Sequence, residues 1–220
     1  MLTNHFVVND IEPINTEDTV SSALGKLSSQ YLEVLPVVLN NQVVNYVDVY
    51  SLSSLSPQMS IKELPLFAPL LPFVTLNQHI INALSQLKTL KMSLLAILDE
   101  NGMYLGVIKT KDIVLALSKS LTVKAHGSII VLKLKPNDYS LSDIVRIIEY
   151  GDAKVLGFFT FELPDTNEIE LHLKLNTTIL RNILATLERY DYRVEAYYNR
   201  EDMSEDNDLR YENLMKIIDL

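Results

Sequence analysis

The 220-residue sequence contains no cysteine and no tryptophan, and only 6 of its residues are glycine. Without cysteine it can form no disulfide bond, thiolate nucleophile or cysteine-ligated metal site, which suits a reducing compartment. Basic residues are also few: the sequence has 19 Lys and Arg and 28 Asp and Glu, which gives a formal net charge of −9. This charge disfavours binding to the phosphate backbone of nucleic acids as the main activity.

Long apolar runs are missing as well. The most apolar stretch, residues 64–74, is interrupted by prolines and is too short to span a membrane. The first nine residues lack the basic start and apolar run of a signal peptide. The sequence shows no phosphate-binding loop, dinucleotide fingerprint or nucleophile elbow, and His5 and His126 have no partners at metal-ligand spacing. We therefore expect a cytoplasmic protein that is not an enzyme, with no metal, nucleic acid or membrane partner.

The sequence does contain an internal repeat with a period of 60 residues, counted from Val20 to Ile80. The matching segments are 20–27 with 80–87, 35–39 with 95–99 and, past one extra residue in a turn, 44–47 with 105–108. One supersecondary unit therefore occurs twice, and each copy needs the other to cover its apolar face.

Each repeat is predicted to form a helix followed by a β-hairpin. Apolar residues at helical spacing place the two helices after Thr19 and from about His79, and both of these residues can cap a helix. Asn40-Asn41 and Asn101-Gly102 are turn sequences between short apolar runs. The predicted strands are 35–39, 42–49, 94–98 and 104–109, and a last helix is predicted over 112–118.

The second half has a different pattern. Strands are predicted at 128–135, 155–163, 168–175 and 193–198, with helices starting after Ser140 and near Ile179. In 168–175 apolar and polar residues alternate, which indicates a sheet that is buried on one side only. The order βαββαβ is the split-βαβ, ferredoxin-like arrangement, and the whole chain is therefore of the α/β (α+β) class.

The C-terminal tail has two parts. Residues 201–208 include five acidic residues, and Tyr211, Leu214, Met215 and Ile218 then recur at helical spacing. A ten-residue helix is marginally stable alone, so we expect it to dock on the body of the protein or on a second subunit.

The repeats resemble CBS domains, which occur as tandem pairs called Bateman modules. The resemblance rests on Asp18-Thr19-Val20, Leu35-Pro36-Val37-Val38 and the segment Gly106–Ile113. The second half resembles an ACT domain, and the order CBS–CBS–ACT is similar to the acetoin-utilisation accessory family. The resemblance implies a tandem CBS-domain pair, residues 1–57 and 58–120, an ACT-type domain at 127–200 and an acidic linker with a C-terminal helix at 201–220.

CBS pairs typically bind adenine nucleotides such as AMP or ATP. The family pattern is Gly, two apolar residues, Ser or Thr, two residues and Asp, where the aspartate accepts hydrogen bonds from the ribose and the hydroxyl holds a phosphate. In the second repeat Gly106 and Asp112 match this pattern, Lys109 takes the hydroxyl position and Thr110 follows it. A lysine can still meet a phosphate as a point charge.

The first repeat departs from the pattern, with Asn45, Asp48 and Ser51 at the three positions. A carboxylate at the phosphate position repels an anion, so we expect at most one nucleotide site per chain. ACT domains often bind an amino acid below a glycine-containing loop. Here that loop carries Asn137 and Asp138 but no glycine, so amino-acid binding and a purely architectural role both stay open.

Two functions are compatible with these residues. The first is a non-catalytic regulatory sensor that binds an adenine nucleotide through Gly106, Lys109, Thr110 and Asp112. The second is a dimerisation or protein-interaction module that has lost its ligands, in which Asp112 serves only its helix as an N-cap. The family resemblance and the exposed edge strands of a lone four-stranded sheet predict a homodimer, and the regulated protein is not identified by the sequence.

Overall fold

The computed structural model describes residues 1–65 and 71–199, which divide into two compact units, the first ending at Leu117 and the second beginning at Ser118. The first unit contains β1 (Ile14–Asn15), α1 (Val20–Ser29), β2 (Val34–Leu39), β3 (Gln42–Asp48), α2 (Val49–Ser53), β4 (Phe73–Thr75), α3 (Ile80–Leu90), β5 (Leu94–Leu98), β6 (Tyr104–Lys109) and α4 (Thr110–Leu117). Short 3-10 turns lie at Thr3–Phe6 and Ile61–Glu63. The predicted mixed α and β fold class is confirmed.

The sequence repeat is also a backbone repeat. Each copy forms a three-stranded sheet, β1-β2-β3 and β4-β5-β6, whose first pair is parallel and whose second pair is an antiparallel hairpin. Ile14 pairs with Val37, and Val74 pairs with Ile97, 60 residues later at both positions. Both hairpins shift register at one extra residue, Val44 and Leu105, so the copies share even this irregularity.

The predicted helix caps are formed by the expected residues. The Thr19 side chain accepts a hydrogen bond from the Ser22 backbone N–H at 3.2 Å, and the His79 ring accepts one from that of Ile81 at 3.4 Å. Helix α2 was not predicted, because a five-residue helix with one buried side chain is too short to show a periodic pattern. Helix α4 begins at Thr110, two residues before its predicted start.

The backbone of the N-terminal segment pairs with the second repeat, whereas the Val8 side chain packs against the apolar cluster of the first. The Thr3 backbone N–H donates to Gln78 O at 2.9 Å, and Val8 forms a two-way backbone bridge with Val107. The chain then passes to the first repeat at β1. This crossing ties the two copies together and adds Phe6 and Val7 to the apolar cluster of the second repeat.

A tyrosine of the first repeat completes the sheet of the second. The Tyr46 hydroxyl, on β3, donates to Pro72 O at 2.6 Å and accepts from the Ala96 N–H at 2.9 Å, so it extends the β4–β5 ladder by one step. Burial raises the pKa of Tyr46 and outweighs the opposing effect of the bond from Ala96. The equivalent position of β2 is Pro36, which has no N–H to satisfy.

Replacing Tyr46 with phenylalanine should lower the free energy of unfolding by about 1–3 kcal/mol, because it leaves the buried Ala96 N–H and the Pro72 carbonyl without a partner. Urea unfolding of the full chain measures this. The matched control is Tyr104→Phe: the Tyr104 hydroxyl is buried without a hydrogen-bond partner in the part of the chain that the structure describes. Burial raises its pKa to about 12, and its removal should be neutral or stabilising. Equal losses in both variants would contradict the bridging role.

The second unit contains α5 (Leu121–Lys124), β7 (Ile129–Leu134), α6 (Leu141–Tyr150), β8 (Val155–Glu162), β9 (Ile169–Leu175), α7 (Arg181–Arg189) and β10 (Arg193–Tyr198). Its antiparallel sheet has the order β10-β7-β9-β8, so the first strand of the unit is central and the predicted ferredoxin-like arrangement is confirmed. A 3-10 turn at Pro136–Asp138 and helix α5 were not predicted.

One face of this sheet carries the core. Along β9 the four apolar side chains from Ile169 to Leu175 are buried and those between them are partly exposed, as the alternation predicted. The buried side chains pack against α6 and α7 through residues such as Ile144, Ile148 and Leu187. Ser140 caps α6 by accepting from the Asp143 N–H at 3.4 Å, also as predicted. The predicted C-terminal helix, 211–218, lies outside the described residues.

No helix within residues 1–65 and 71–199 combines the length and apolarity needed to cross a membrane.

Candidate functional site

The structure brings four of the predicted residues together where β6 leads into α4. Gly106 lies in β6, Lys109 is its last residue, Thr110 is the first residue of α4, and Asp112 lies in the first turn of that helix. The Thr110 backbone N–H donates to Ser93 O at 2.9 Å, which anchors this junction to the start of β5. The candidate site is therefore a strand-to-helix junction, the kind of place where backbone and side chains can converge on a ligand.

Asp112 has an incompletely satisfied carboxylate. Its Oδ2 atom is buried and has no hydrogen-bond partner among the described residues. The nearest cation, Lys109 Nζ, is 3.7 Å away, which is too long for a hydrogen bond. Both side chains are partly exposed, 29% for Lys109 and 26% for Asp112, so the pair can be reached from solvent. A buried acceptor without a donor is unfavourable, and a ligand hydroxyl would satisfy it.

Gly106 lies against the N-terminal segment, a contact that was not predicted from the sequence. Its φ is +149°, and a Cβ atom there would lie 2.7 Å from Val8 O and 2.9 Å from Asn9 Oδ1. The absence of a side chain therefore lets the N-terminal segment pair with β6. No local pattern could have indicated this contact, because almost a hundred residues separate the two partners in sequence. The predicted contact of Gly106 with a ligand remains a prediction.

At the equivalent junction of the first repeat, the carboxylate caps the helix that follows it. Asp48 is the N-cap of α2 and accepts from the Ser51 backbone N–H at 2.8 Å and from the Ser51 hydroxyl at 3.0 Å. Two of the three residues that depart from the family pattern, Asp48 and Ser51, are thus each other's partners. A nearby cavity of about 310 Å³ is lined by Glu33, Asp48, Lys91 and other residues, and its two carboxylates disfavour a phosphate.

Asn137 and Asp138 lie in the second unit, on the 3-10 turn that precedes α6, and both are exposed. The structure therefore places them in a different unit from Asp112. Tyr139 packs against the core of the second unit, so the bulky residue in this loop has a structural role. Binding of an amino acid at Asn137 and Asp138 stays a prediction, as does the ACT assignment.

Sequence reasoning missed an open cleft of about 700 Å³ between α6 and α7. Its lining includes two arginines and two tyrosines. The Arg146 guanidinium is paired with Asp143 at 2.9 Å, and that of Arg189 lies 5.7 Å from the centre of the Tyr190 ring. Helical periodicity identifies the buried face of each helix, whereas a cleft between outer faces depends on how two helices pack, so no signal in the sequence indicated it.

Acidic and histidine side chains do not gather into a metal site in residues 1–65 and 71–199, where no group of three or more could hold an ion. His172, for example, contacts one acidic residue and one aromatic ring. Its Nε2 atom contacts Glu170 Oε2 at 3.0 Å, and its ring meets that of Phe161 edge-on at 5.0 Å between ring centres. These contacts give it a structural place in the sheet.

Comparison with known proteins gives a family-model match in the second repeat. Residues 68–119 match the family model for the CBS domain, and this range includes Gly106, Lys109, Thr110 and Asp112. The comparison with curated proteins gives no match.

Solved structures similar to this chain include a CBS domain pair/ACT domain protein from Thermotoga maritima, with 20% identity, a TM-score of 0.48, and coverage of 53% of this chain and 96% of that one. The CBS domains of a transcriptional regulator from Streptococcus pneumoniae match with 19% identity and a TM-score of 0.47, over 52% of this chain and 97% of that one. CBSX2 in complex with AMP matches with 20% identity and a TM-score of 0.46, over 53% and 95%. The β6–α4 junction lies within the part of this chain that matches the CBS-domain family model.

Proposed function

We propose that this protein is a non-catalytic regulatory sensor that binds one adenine nucleotide per chain, such as AMP or ATP, at the β6–α4 junction. CBS domains commonly bind such nucleotides in regulatory proteins, and the matched range contains the whole junction. The observation that carries the proposal is the buried Asp112 Oδ2, which lacks a hydrogen-bond partner among the described residues.

The chemistry of the junction suits a nucleotide. The Asp112 carboxylate can accept hydrogen bonds from the two ribose hydroxyls, and these would replace the missing partner of Oδ2. Lys109 Nζ, 3.7 Å from that oxygen, would meet a phosphate as a point charge, and the Thr110 hydroxyl can donate to it. In the first repeat the Asp48 carboxylate instead accepts hydrogen bonds from Ser51 of its own helix and places a negative charge at the phosphate position, which supports a single site per chain.

Regulation requires that the ligand bind two arrangements of the protein with different affinities. A nucleotide that orders β6 and α4 would also act on the N-terminal segment, since Val8 pairs with Val107 between Gly106 and Lys109. We infer that the readout is a change in how the protein meets a regulated partner or a second copy in a homodimer. The absence of cysteine suits a cytoplasmic setting.

The test is thermal unfolding of the full chain against AMP, ADP, ATP, NAD, S-adenosylmethionine and single amino acids. A ligand at 100 times its Kd stabilises the native state by about 2.7 kcal/mol, which raises Tm by several degrees. We expect a shift with at least one adenine compound, saturating at one ligand per chain in calorimetry. No shift with any adenine compound, or two sites per chain, would contradict the proposal.

A second function is favoured by a separate observation. Asp48 and Ser51 form a closed helix cap at the first junction, and the loop carrying Asn137 and Asp138 lacks glycine. These features are typical of domains kept as dimerisation or protein-interaction modules. A flat result across the ligand panel, together with a stable dimer in light scattering, would favour this alternative.

A further inference from the structure

Strand β8 is an outer strand of the second unit's sheet, and its outer edge carries aromatic side chains. The strand pairs with β9, and no other strand within residues 1–65 and 71–199 pairs with its outer edge. Phe158, Phe159 and Phe161 are 44%, 53% and 51% exposed. Strand register places Phe158 on the side of the sheet that α6 and α7 cover, and the other two on the opposite side. Because an edge strand also leaves backbone N–H and C=O groups unpaired, this edge offers hydrogen bonds together with apolar side chains.

The other edge strand, β10, has features that oppose pairing with a further strand. Arg193 and Glu195 form an ion pair at 3.1 Å on it, and its register shifts at a bulge. Charges and bulges of this kind keep natural edge strands from pairing with another chain. Residues 158–162 of β8, in contrast, keep a regular register and include one charged residue, Glu162, at their end. This part of β8 therefore favours an added strand.

Helix α5 limits where an added strand can pair with β8. The Thr122 hydroxyl donates to Leu156 O at 3.3 Å, and a Cβ atom on Gly157 would collide with the Thr122 side chain. The register shift of β8 also ends at Gly157. The accessible part of the strand is therefore residues 158–162, which we call the free edge, and its central residue is Thr160.

We propose that the free edge pairs with the free edge of a second copy of this chain, in an antiparallel ladder whose two-fold axis passes through Thr160. Two identical antiparallel strands are self-complementary, as the interface of a closed dimer must be. In this register Phe159 of each copy lies opposite Phe161 of the other, and Thr160 lies opposite its counterpart. Aromatic pairs and threonine pairs directly across a ladder are stabilising. The residue order of the free edge therefore suits a second copy.

The helices that cover the sheet fit the same arrangement. Helix α6 contacts β8, whereas α7 contacts β10. Two strands span about 9–10 Å, close to the 8–10 Å between the axes of packed helices, so joining two sheets through β8 makes the two α6 helices neighbours. On the flank of α6 away from α7, half-buried Leu141 and Val145 line a cavity of about 660 Å³. A second α6 would cover this apolar flank.

Sedimentation equilibrium of the full chain without nucleotide tests the interface. We expect the parent to be a dimer. Phe159→Lys should raise the dissociation constant of the dimer at least about tenfold, because it removes two aromatic pairs and places a lysine on the edge of each copy. The matched control is Tyr197→Lys, which should leave the constant unchanged, since Tyr197 is also 53% exposed but lies on β10. A monomeric parent, or equal dissociation constants in the three proteins, would overturn the proposal.

A second test leaves the aromatic side chains in place, because the sequence has no cysteine and Thr160→Cys introduces a single thiol. Residues directly opposite each other in an antiparallel ladder have Cα atoms about 4.5–5.5 Å apart, within the range that a disulfide spans. In a glutathione buffer we expect a disulfide between two chains, with an equilibrium constant at least about tenfold above that of Thr166→Cys. Thr166 is exposed in the turn between β8 and β9.

Equal equilibrium constants in the two cysteine variants would contradict an axis through Thr160. The interface goes beyond the proposed nucleotide site and does not depend on it. Since neither measurement contains nucleotide, failure of the interface and failure of nucleotide binding are distinguishable.

Discussion

Replacing Asp112 with alanine should abolish the thermal shift produced by the adenine nucleotide and weaken its binding at least about 100-fold. The two ribose hydroxyls would lose their charge-assisted hydrogen bonds to the carboxylate, each of which contributes about 1.5–3 kcal/mol. Isothermal titration calorimetry of the purified full chain measures the change in Kd. Without ligand, the variant should be as stable as the parent or more stable, because it also removes the buried oxygen that lacks a partner among the described residues.

The matched control is Ser51→Ala, at the equivalent position of the first repeat, 61 residues earlier. This variant loses the hydroxyl that donates to Asp48 at 3.0 Å, yet it should bind the nucleotide as tightly as the parent. Unchanged affinity in Asp112→Ala would remove the β6–α4 junction from consideration as the site. Weaker binding in both variants would mean that the two junctions act together.

Replacing Gly106 with valine should lower the free energy of unfolding by about 2–5 kcal/mol. The positive φ is strained for a residue with a side chain, and the new Cβ would collide with Val8 O, 2.7 Å away. Urea unfolding measures the loss. Hydrogen exchange should locate it, because the Val8 N–H, bonded to Val107 O at 3.0 Å in the parent, would lose its protection.

Gly25→Ala is the control for a glycine that has no such neighbour. It lies in α1 with no atom within 4 Å of a built Cβ, so the substitution should stabilise the protein by about 0.5–1 kcal/mol through helix propensity. If Gly106→Val unfolds at the same urea concentration as the parent, the N-terminal segment does not pack against β6 in solution.

The regular elements were predictable because they obey local periodicities. The apolar stripe after Thr19 indicates the buried side of α1, and the alternation from Ile169 to Leu175 indicates that of β9. Neither indication needs information from the rest of the chain. The candidate site was predictable only as residues along β6 and α4, since the family pattern gives their identities and spacing. Helices α2 and α5 and the 3-10 turns at Thr3–Phe6 and Pro136–Asp138 escaped prediction because they hold too few residues to show a period, whereas a short helix was predicted near residues 61–64, where the 3-10 turn Ile61–Glu63 lies.

The sequence by itself determined the duplicated unit, the βαββαβ order and the candidate role of Asp112. Each of these can be predicted from residue types that recur at a fixed spacing along the chain. Only the tertiary structure decided that Tyr46 completes the second sheet and that Gly106 receives the N-terminal segment. It also decided that Asp112 Oδ2 is left without a hydrogen-bond partner among the described residues. These facts depend on contacts between residues far apart in sequence and on differences of a few tenths of an ångström, which decide whether a polar atom is satisfied.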